Sequence, residues 1–128
     1  MEQDAIPAYG GLAPMLPVTN VARAIAFYEG LGFQIGNTHT PEGGDAPVWA
    51  WLYSGQAHVM VTQADGPIEA THHSASIWLY TRDVKAAHTS LQSRGVEVGT
   101  IDYPFYNPGG EFHVHDPDGY AVFIAHLE

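Results

Sequence analysis

The sequence predicts an α+β domain made of two βαβββ modules in tandem, and three observations predict it. First, the chain repeats itself at an offset of about 63 residues. Asn20 falls on Asp83, Val21 on Val84, Ala24 on Ala87 and Tyr28 on Leu91. Gly32, Phe33, Ile35 and Gly36 fall on Gly95, Val96, Val98 and Gly99, and Val59 and Val61 on Val122 and Ile124. Second, each repeat sets one run at helical spacing among runs of strand character. Third, two strand-like runs flank Asp116-Pro117-Asp118-Gly119, with Pro second and Gly fourth as a type I turn prefers. One such unit cannot cover its own sheet, so two must pack together.

The elements follow in order. Leu12 to Val18 is a short strand interrupted by two prolines, as at a sheet edge. Asn20 is positioned to cap a helix in which Val21, Ala24, Ile25 and Tyr28 share a face, with Gly30 and Gly32 as stop signals. Phe33 to Ile35 resumes as strand, and the polar, Gly-rich stretch from His39 to Ala46 is a loop. Val48 to Tyr53 and Ala57 to Thr62 are strands about a Ser54-Gly55 turn. Ala64 to Ser74 is a polar linker. Ile77 to Thr81 is strand, and Asp83 caps a second helix with Val84, Ala87, His88 and Leu91 on one face, ended by Gly95. Val96 to Val98 is a strand, and a loop rich in Gly, Pro and Tyr leads to the last hairpin, Gly110 to His126. The organisation is one domain: a loose tail (1–10), a first module (11–63), a linker (64–74) and a second module (75–128).

Composition narrows the function. A chain of 128 residues with 45% hydrophobic content can build a real core. No apolar run approaches the ~20 residues of a membrane span, and the acidic N-terminus does not read as a signal peptide. With no cysteine, there is no disulfide frame and no thiolate zinc site; the compartment stays open, with cytoplasm the default. Fourteen acidic residues against four basic ones leave a formal charge of -10, which repels phosphate backbones and attracts cationic ligands. Nucleic acid and membrane are therefore not expected partners.

The repeat, the stretch VARAIAFYEGLGF in the first half and HDPDGYAVFI near the end together resemble the glyoxalase / bleomycin resistance / dioxygenase superfamily, also called vicinal oxygen chelate proteins. The resemblance covers Leu12 to Leu127. It implies a curled, cup-like mixed sheet with the helices on the outside, and a homodimer in which both chains complete each cup. Enzymes of the superfamily hold one divalent metal from four matching strand positions, which fall here on Ala13, Met60, Ser76 and Phe123. The internal offset pairs the same four residues. A hard divalent ion needs carboxylate or imidazole donors, and these residues supply neither. The resemblance is therefore to the metal-free members of the bleomycin-resistance type, and no cofactor is expected.

A relocated metal site is the alternative. His113, His115 and Glu111 share one face of a strand, and His58, His72 and His73 add donors. For His72 and His73, a solvated, mobile linker is the expectation. By resemblance, His113 stands where ring-cleaving relatives place a polar residue that touches substrate. Simple hairpin pairing would instead put Phe112 and Val114 on the face of Phe123, unless a bulge reverses the parity. Glu111 and His113 are expected to face the cup.

If the four positions line the cup, alternation adds Met15, His58, Trp78 and Tyr80. Trp49 and Trp51 share a face that the Ser54-Gly55 turn sets beside Met60 and His58. Tyr103, Phe105 and Tyr106 come from the loop before the last hairpin. The expected ligand-binding set is thus Trp49, Trp51, His58, Met60, Trp78, Tyr103, Tyr106, Glu111, His113 and Phe123. Such rings suit a flat or cationic small molecule. Ser54, Ser74, Ser76, Ser90 and Ser93 have no nucleophile-elbow setting. Sequestration of a small molecule without metal is the first expectation. An enzyme with His113 and Glu111 as acid and base, or with a displaced metal, is the alternative.

Overall fold

The computed structural model describes residues 5–70, 72–73 and 75–127. Parts of the expected tail and linker (1–4, 71 and 74) and residue 128 lie outside them, as does Ser74 among the serines considered above. The chain runs β1 (Met15–Val18), α1 (Val21–Gly30), β2 (Gln34–His39), β3 (Trp49–Ser54), β4 (Ala57–Gln63), β5 (Ser76–Thr81), α2 (Val84–Ser93), β6 (Glu111–His115) and β7 (Ala121–His126). Two mixed sheets result, ordered β1-β4-β3-β2 and β5-β7-β6. β1 is parallel to β4 and β5 is parallel to β7, each crossover carrying further strands or a helix. The α+β class with paired modules is thus the observed one.

Local chemistry fixes both helices. The Asn20 side chain accepts from the Arg23 N–H at 3.0 Å, and the Asp83 side chain accepts from the Ala86 N–H at 2.9 Å. Each satisfies an orphan amide of the first turn. Val21, Ala24, Ile25 and Tyr28 of α1 are buried, as are Val84 and Leu91 of α2. Gly32 and Gly95 follow the helices at φ 101° and 85°, where a side chain would be strained.

Alternation along the strands sorts two faces. Leu16, Val18, Ala50, Leu52, Val59 and Val61 of the first sheet point inward, with Phe112, Val114, Val122 and Ile124 of the second. Together with the helices they form one core cluster. The opposite faces carry Met15, Trp51, Tyr53, His58 and Met60, and Trp78, Tyr80, Phe123 and His113, all partly or largely exposed.

The second module departs from the expected pattern at Val96–Val98, which forms no regular strand. The Val96 N–H is taken by Leu91 O at the end of α2, and among the described residues only Gly99 N–H to His113 O and the Asp102–Glu111 bridge connect the following stretch to β6. Pro104 and Pro108 follow within a few residues and cannot donate to a ladder. The first-module hairpin also turns one residue later than expected, at Gly55-Gln56, with Ser54 opposite Ala57.

The last hairpin locks the modules together. The Tyr28 hydroxyl donates to Asp116 Oδ2 at 3.3 Å, and the Tyr120 hydroxyl to Pro17 O at 2.9 Å. Asp118 accepts from both the Thr19 N–H and its hydroxyl. His73 does not dangle in solvent as a linker residue would: its ring stacks on Tyr120 at 3.8 Å and meets Asp118 O at 2.9 Å. His72 is exposed.

Burial raises the pKa of Asp116 above its ordinary 3.8, against the lowering effect of the Tyr120, Asp118 and Tyr28 hydrogen bonds. A carboxyl whose folded pKa is raised contributes most stability while protonated, below the unfolded value. That contribution is lost as pH rises through the folded value. Asp116→Asn, which keeps an acceptor but cannot ionise, should therefore gain on wild type as pH rises from about 4 to about 7. Urea denaturation across that range checks this; a difference that stays flat or moves the other way contradicts it.

Candidate functional site

The site is built from the two open sheet faces. On the first, Trp51 sits opposite Met60, and Met60 beside Met15. The Trp51 ring lies over Gly36, where an added Cβ would come within 2.7 Å of it. A register shift between Ile35 and Asn37 at this point leaves the glycine as the seat of the indole. The Trp51 Nε1–H donates to His58 Nδ1 at 3.1 Å, and the two rings lie near parallel. Tyr53 completes the row, opposite His58.

The second face is a grid of three strands. Trp78, Phe123 and His113 form one row, and Tyr80, Ala125 and Glu111 the next. The Trp78 and Phe123 rings stack at 4.4 Å with planes 6° apart. His113 follows Phe123 at 5.2 Å, and the His115 ring meets His113 edge-on. The Trp78 indole N–H donates to Ser76 Oγ at 3.1 Å. Tyr106 covers the row edge-on to Trp78, and its hydroxyl donates to Glu111 Oε2 at 2.8 Å. That hydrogen bond is the main reason the Tyr106 phenol is held above its ordinary pKa of 10.0, so it remains a neutral donor.

Glu111 and His113 reach this face because of one residue in the turn. Asp116 Oδ1 accepts from both Asp118 N–H and Tyr120 N–H, and Gly119 adopts φ 87°. A type I turn followed by a left-handed glycine adds a residue to the loop, so His115 pairs with Ala121 and His113 with Phe123. Simple pairing would have reversed this. The repeat offset is accordingly 62 residues from β3 to β6, carrying Trp51 onto His113, and 63 from β4 to β7.

Not every expected residue joins a cluster. Trp49 lies on the Trp51 face but opposite Thr62 instead of Met60 or His58. Tyr103 packs near Gly110 on the loop side. Among the described residues no hydrogen bond joins His113 to Glu111; Glu111 is buried and held by Tyr106, while His113 is exposed. Tyr53, Asn107 and Gly36 belong to these surroundings and are not among the expected ligand-binding residues. Alternation from Trp51 points to Tyr53; nothing local marks Asn107.

The usual metal does not fit this donor set. Met60 offers a thioether, and Phe123 lies between two rings. Ala13 is exposed ahead of β1, and Ser76 Oγ accepts from Trp78. Nor do three His, Cys, Asp or Glu side chains converge among the described residues, and the His58 ring is engaged by Trp51.

The pattern of the Glyoxalase/Bleomycin resistance protein/Dioxygenase superfamily matches residues 12–124. The chain belongs to this superfamily. No curated protein sequence matches it. Among solved structures, it is similar to a bleomycin-binding protein complexed with bleomycin, at 20% identity and TM-score 0.77, over 94% of this chain and 100% of that one. A bleomycin resistance determinant encoded on the transposon Tn5 gives 20% identity and TM-score 0.79, over 94% and 99%. The bleomycin-binding protein of Streptomyces verticillus, complexed with copper(II)-bleomycin, gives 20% and 0.75, over 96% and 100%. At such identity the likeness shows the fold alone, over 94–96% of the chain. No helix among the described residues is long and apolar enough to cross a membrane.

Proposed function

We propose that this superfamily member is a metal-independent small-molecule binding protein, which sequesters a planar or cationic ligand in an aromatic cleft completed by a second copy of the chain. The observation that carries the reading is the parallel Trp78–Phe123 stack on an open sheet face, with Trp78 still 36% exposed. A flat ligand can extend such a stack at small entropic cost, because indole and phenyl rings have few rotamers to lose. The absence of hard donors at the usual metal positions and the formal charge of -10 support a cation-tolerant, metal-free cleft. Two similar structures hold bleomycin or its copper complex.

The second copy is supported by the apolar surface the chain leaves open. Met15, Trp78, Tyr80, Tyr103, Phe105 and Tyr106 are exposed, Phe105 at 95%. Aromatic and methionine surface of this kind is enriched where proteins meet. Sedimentation equilibrium should give twice the 13.9 kDa chain mass; a monomer at high micromolar concentration contradicts the shared cleft.

Titration with a bleomycin-type glycopeptide, followed by tryptophan fluorescence, tests the function. Quenching that saturates is the expected result, since Trp78 lies in the cleft. No quenching at high micromolar ligand overturns the reading.

A further inference from the structure

A cavity of about 330 Å³ opens between the two sheets, with Leu16 of β1 and Ile77 and Leu79 of β5 among its apolar walls. β1 and β5 are each the end strand of their sheet. His58 of β4 and Ser76 and Trp78 of β5 line the same space. Both polar side chains are reachable, since Ser76 is exposed and His58 only half-buried. Each is engaged by an indole. The Trp51 Nε1–H donates to His58 Nδ1 at 3.1 Å, and the Trp78 Nε1–H donates to Ser76 Oγ at 3.1 Å. An indole nitrogen can only donate.

Those two bonds fix what each side chain has left. A neutral imidazole carries one acceptor and one N–H, so with Nδ1 accepting, the proton of His58 sits on Nε2. His58 therefore offers the cavity a donor and no acceptor. Ser76 Oγ receives the indole proton and keeps its own O–H to give. The Tyr120 hydroxyl, also on the cavity, already donates to Pro17 O at 2.9 Å. Gln56 is exposed, and its amide serves as donor or acceptor. Among the described residues no Lys, Arg, Asp or Glu lines the space, so neither sign of ion finds a counter-charge there. The formal charge of -10 further opposes an anion. An apolar space with two fixed donors fits a neutral oxygen acceptor.

We propose that this cavity is a subsite for a carbonyl oxygen on the ligand, of the ketone or carboxamide type. His58 Nε2–H and Ser76 Oγ–H are its donors, while the flat part of the same ligand lies against the Trp78–Phe123 stack. Trp51 is a positioning residue: it does not line the space and acts through His58. This inference rests on the binding function proposed above and adds the group recognised. A ligand of the same shape without the oxygen would take both donors out of water and leave them unpaired.

Calorimetric titration with two probes of one shape tests this: acetonaphthone and isopropenylnaphthalene, substituted at the same ring position and carrying the same dimethylaminoethoxy group for solubility. The second replaces the carbonyl oxygen of the first by a methylene. The ketone should bind about tenfold more tightly, the size expected when a donor is left unpaired. His58→Phe should remove most of that advantage, because a ring remains and the freed Trp51 N–H does not line the space. Nitrogen NMR of the wild type should show the His58 proton on Nε2, and that resonance should move with the ketone and not with the alkene. Equal affinity of the two probes, an undiminished ketone preference in folded His58→Phe, or a His58 proton on Nδ1 overturns the subsite and leaves the aromatic cleft standing. If neither probe binds, the cleft falls with the subsite. Should His58→Phe fail to fold, the probe ranking and the His58 nitrogen shifts of the wild type decide.

Discussion

Tyr28→Ala should cost the fold about 3–5 kcal/mol, the range for removing a fully buried aromatic side chain. Tyr28 is 0% exposed and packs edge-on against Phe27 and Phe33. Its hydroxyl also ties α1 to Asp116 in the other module. Desolvation raises its pKa well above the ordinary phenol value, so it stays a neutral donor to that carboxylate. A domain of this size has roughly 5–15 kcal/mol of stability, so the variant should be marginal at room temperature. Tyr28→Phe keeps the packing and should cost only about 1 kcal/mol. Denaturant unfolding of both variants measures the split. A loss below about 1 kcal/mol for Tyr28→Ala would show that the modules do not share this core.

Trp78→Ala should weaken binding of a planar ligand by about 30-fold or more, as removal of a central aromatic anchor does. The stack with Phe123 is lost together with the face a ligand would extend. Stability should move by only about 1 kcal/mol, because Trp78 lies on the open face and an aromatic pair contributes little beyond its burial. Parallel calorimetry and thermal melts separate the two effects. Unchanged affinity in a folded Trp78→Ala protein would place the ligand elsewhere.

The helices were legible because their information is local. Asn20 and Asp83 need only the next three residues to act as caps, and the buried faces of α1 and α2 follow from spacing alone. Core strands were legible for the same reason, since alternation fixes which residues point inward. The candidate site was legible as a set of ring positions but not as an arrangement. The face on which Glu111 and His113 stand depends on how many residues the last turn spends, and that depends on Asp116 gathering two amides and Gly119 turning left-handed. Neither is a periodicity. Val96–Val98 kept the apolar alternation of a strand, but its first amide is spent on α2 and prolines follow. His73 sits in a polar stretch and is ordered by a ring, Tyr120, that is distant in sequence. Asn107 is placed beside the ring face by a contact no local pattern shows, its amide donating to the His126 carbonyl.

On the proposed function, the aromatic face binds a flat ligand with no metal in the cleft. The most direct measurement is the glycopeptide titration run by calorimetry, with metal-free bleomycin and excess EDTA throughout. Saturable binding of one ligand per chain, in the micromolar range or tighter, is the expected result. No heat of binding under these conditions, with binding restored only when a divalent metal replaces the chelator, would contradict it.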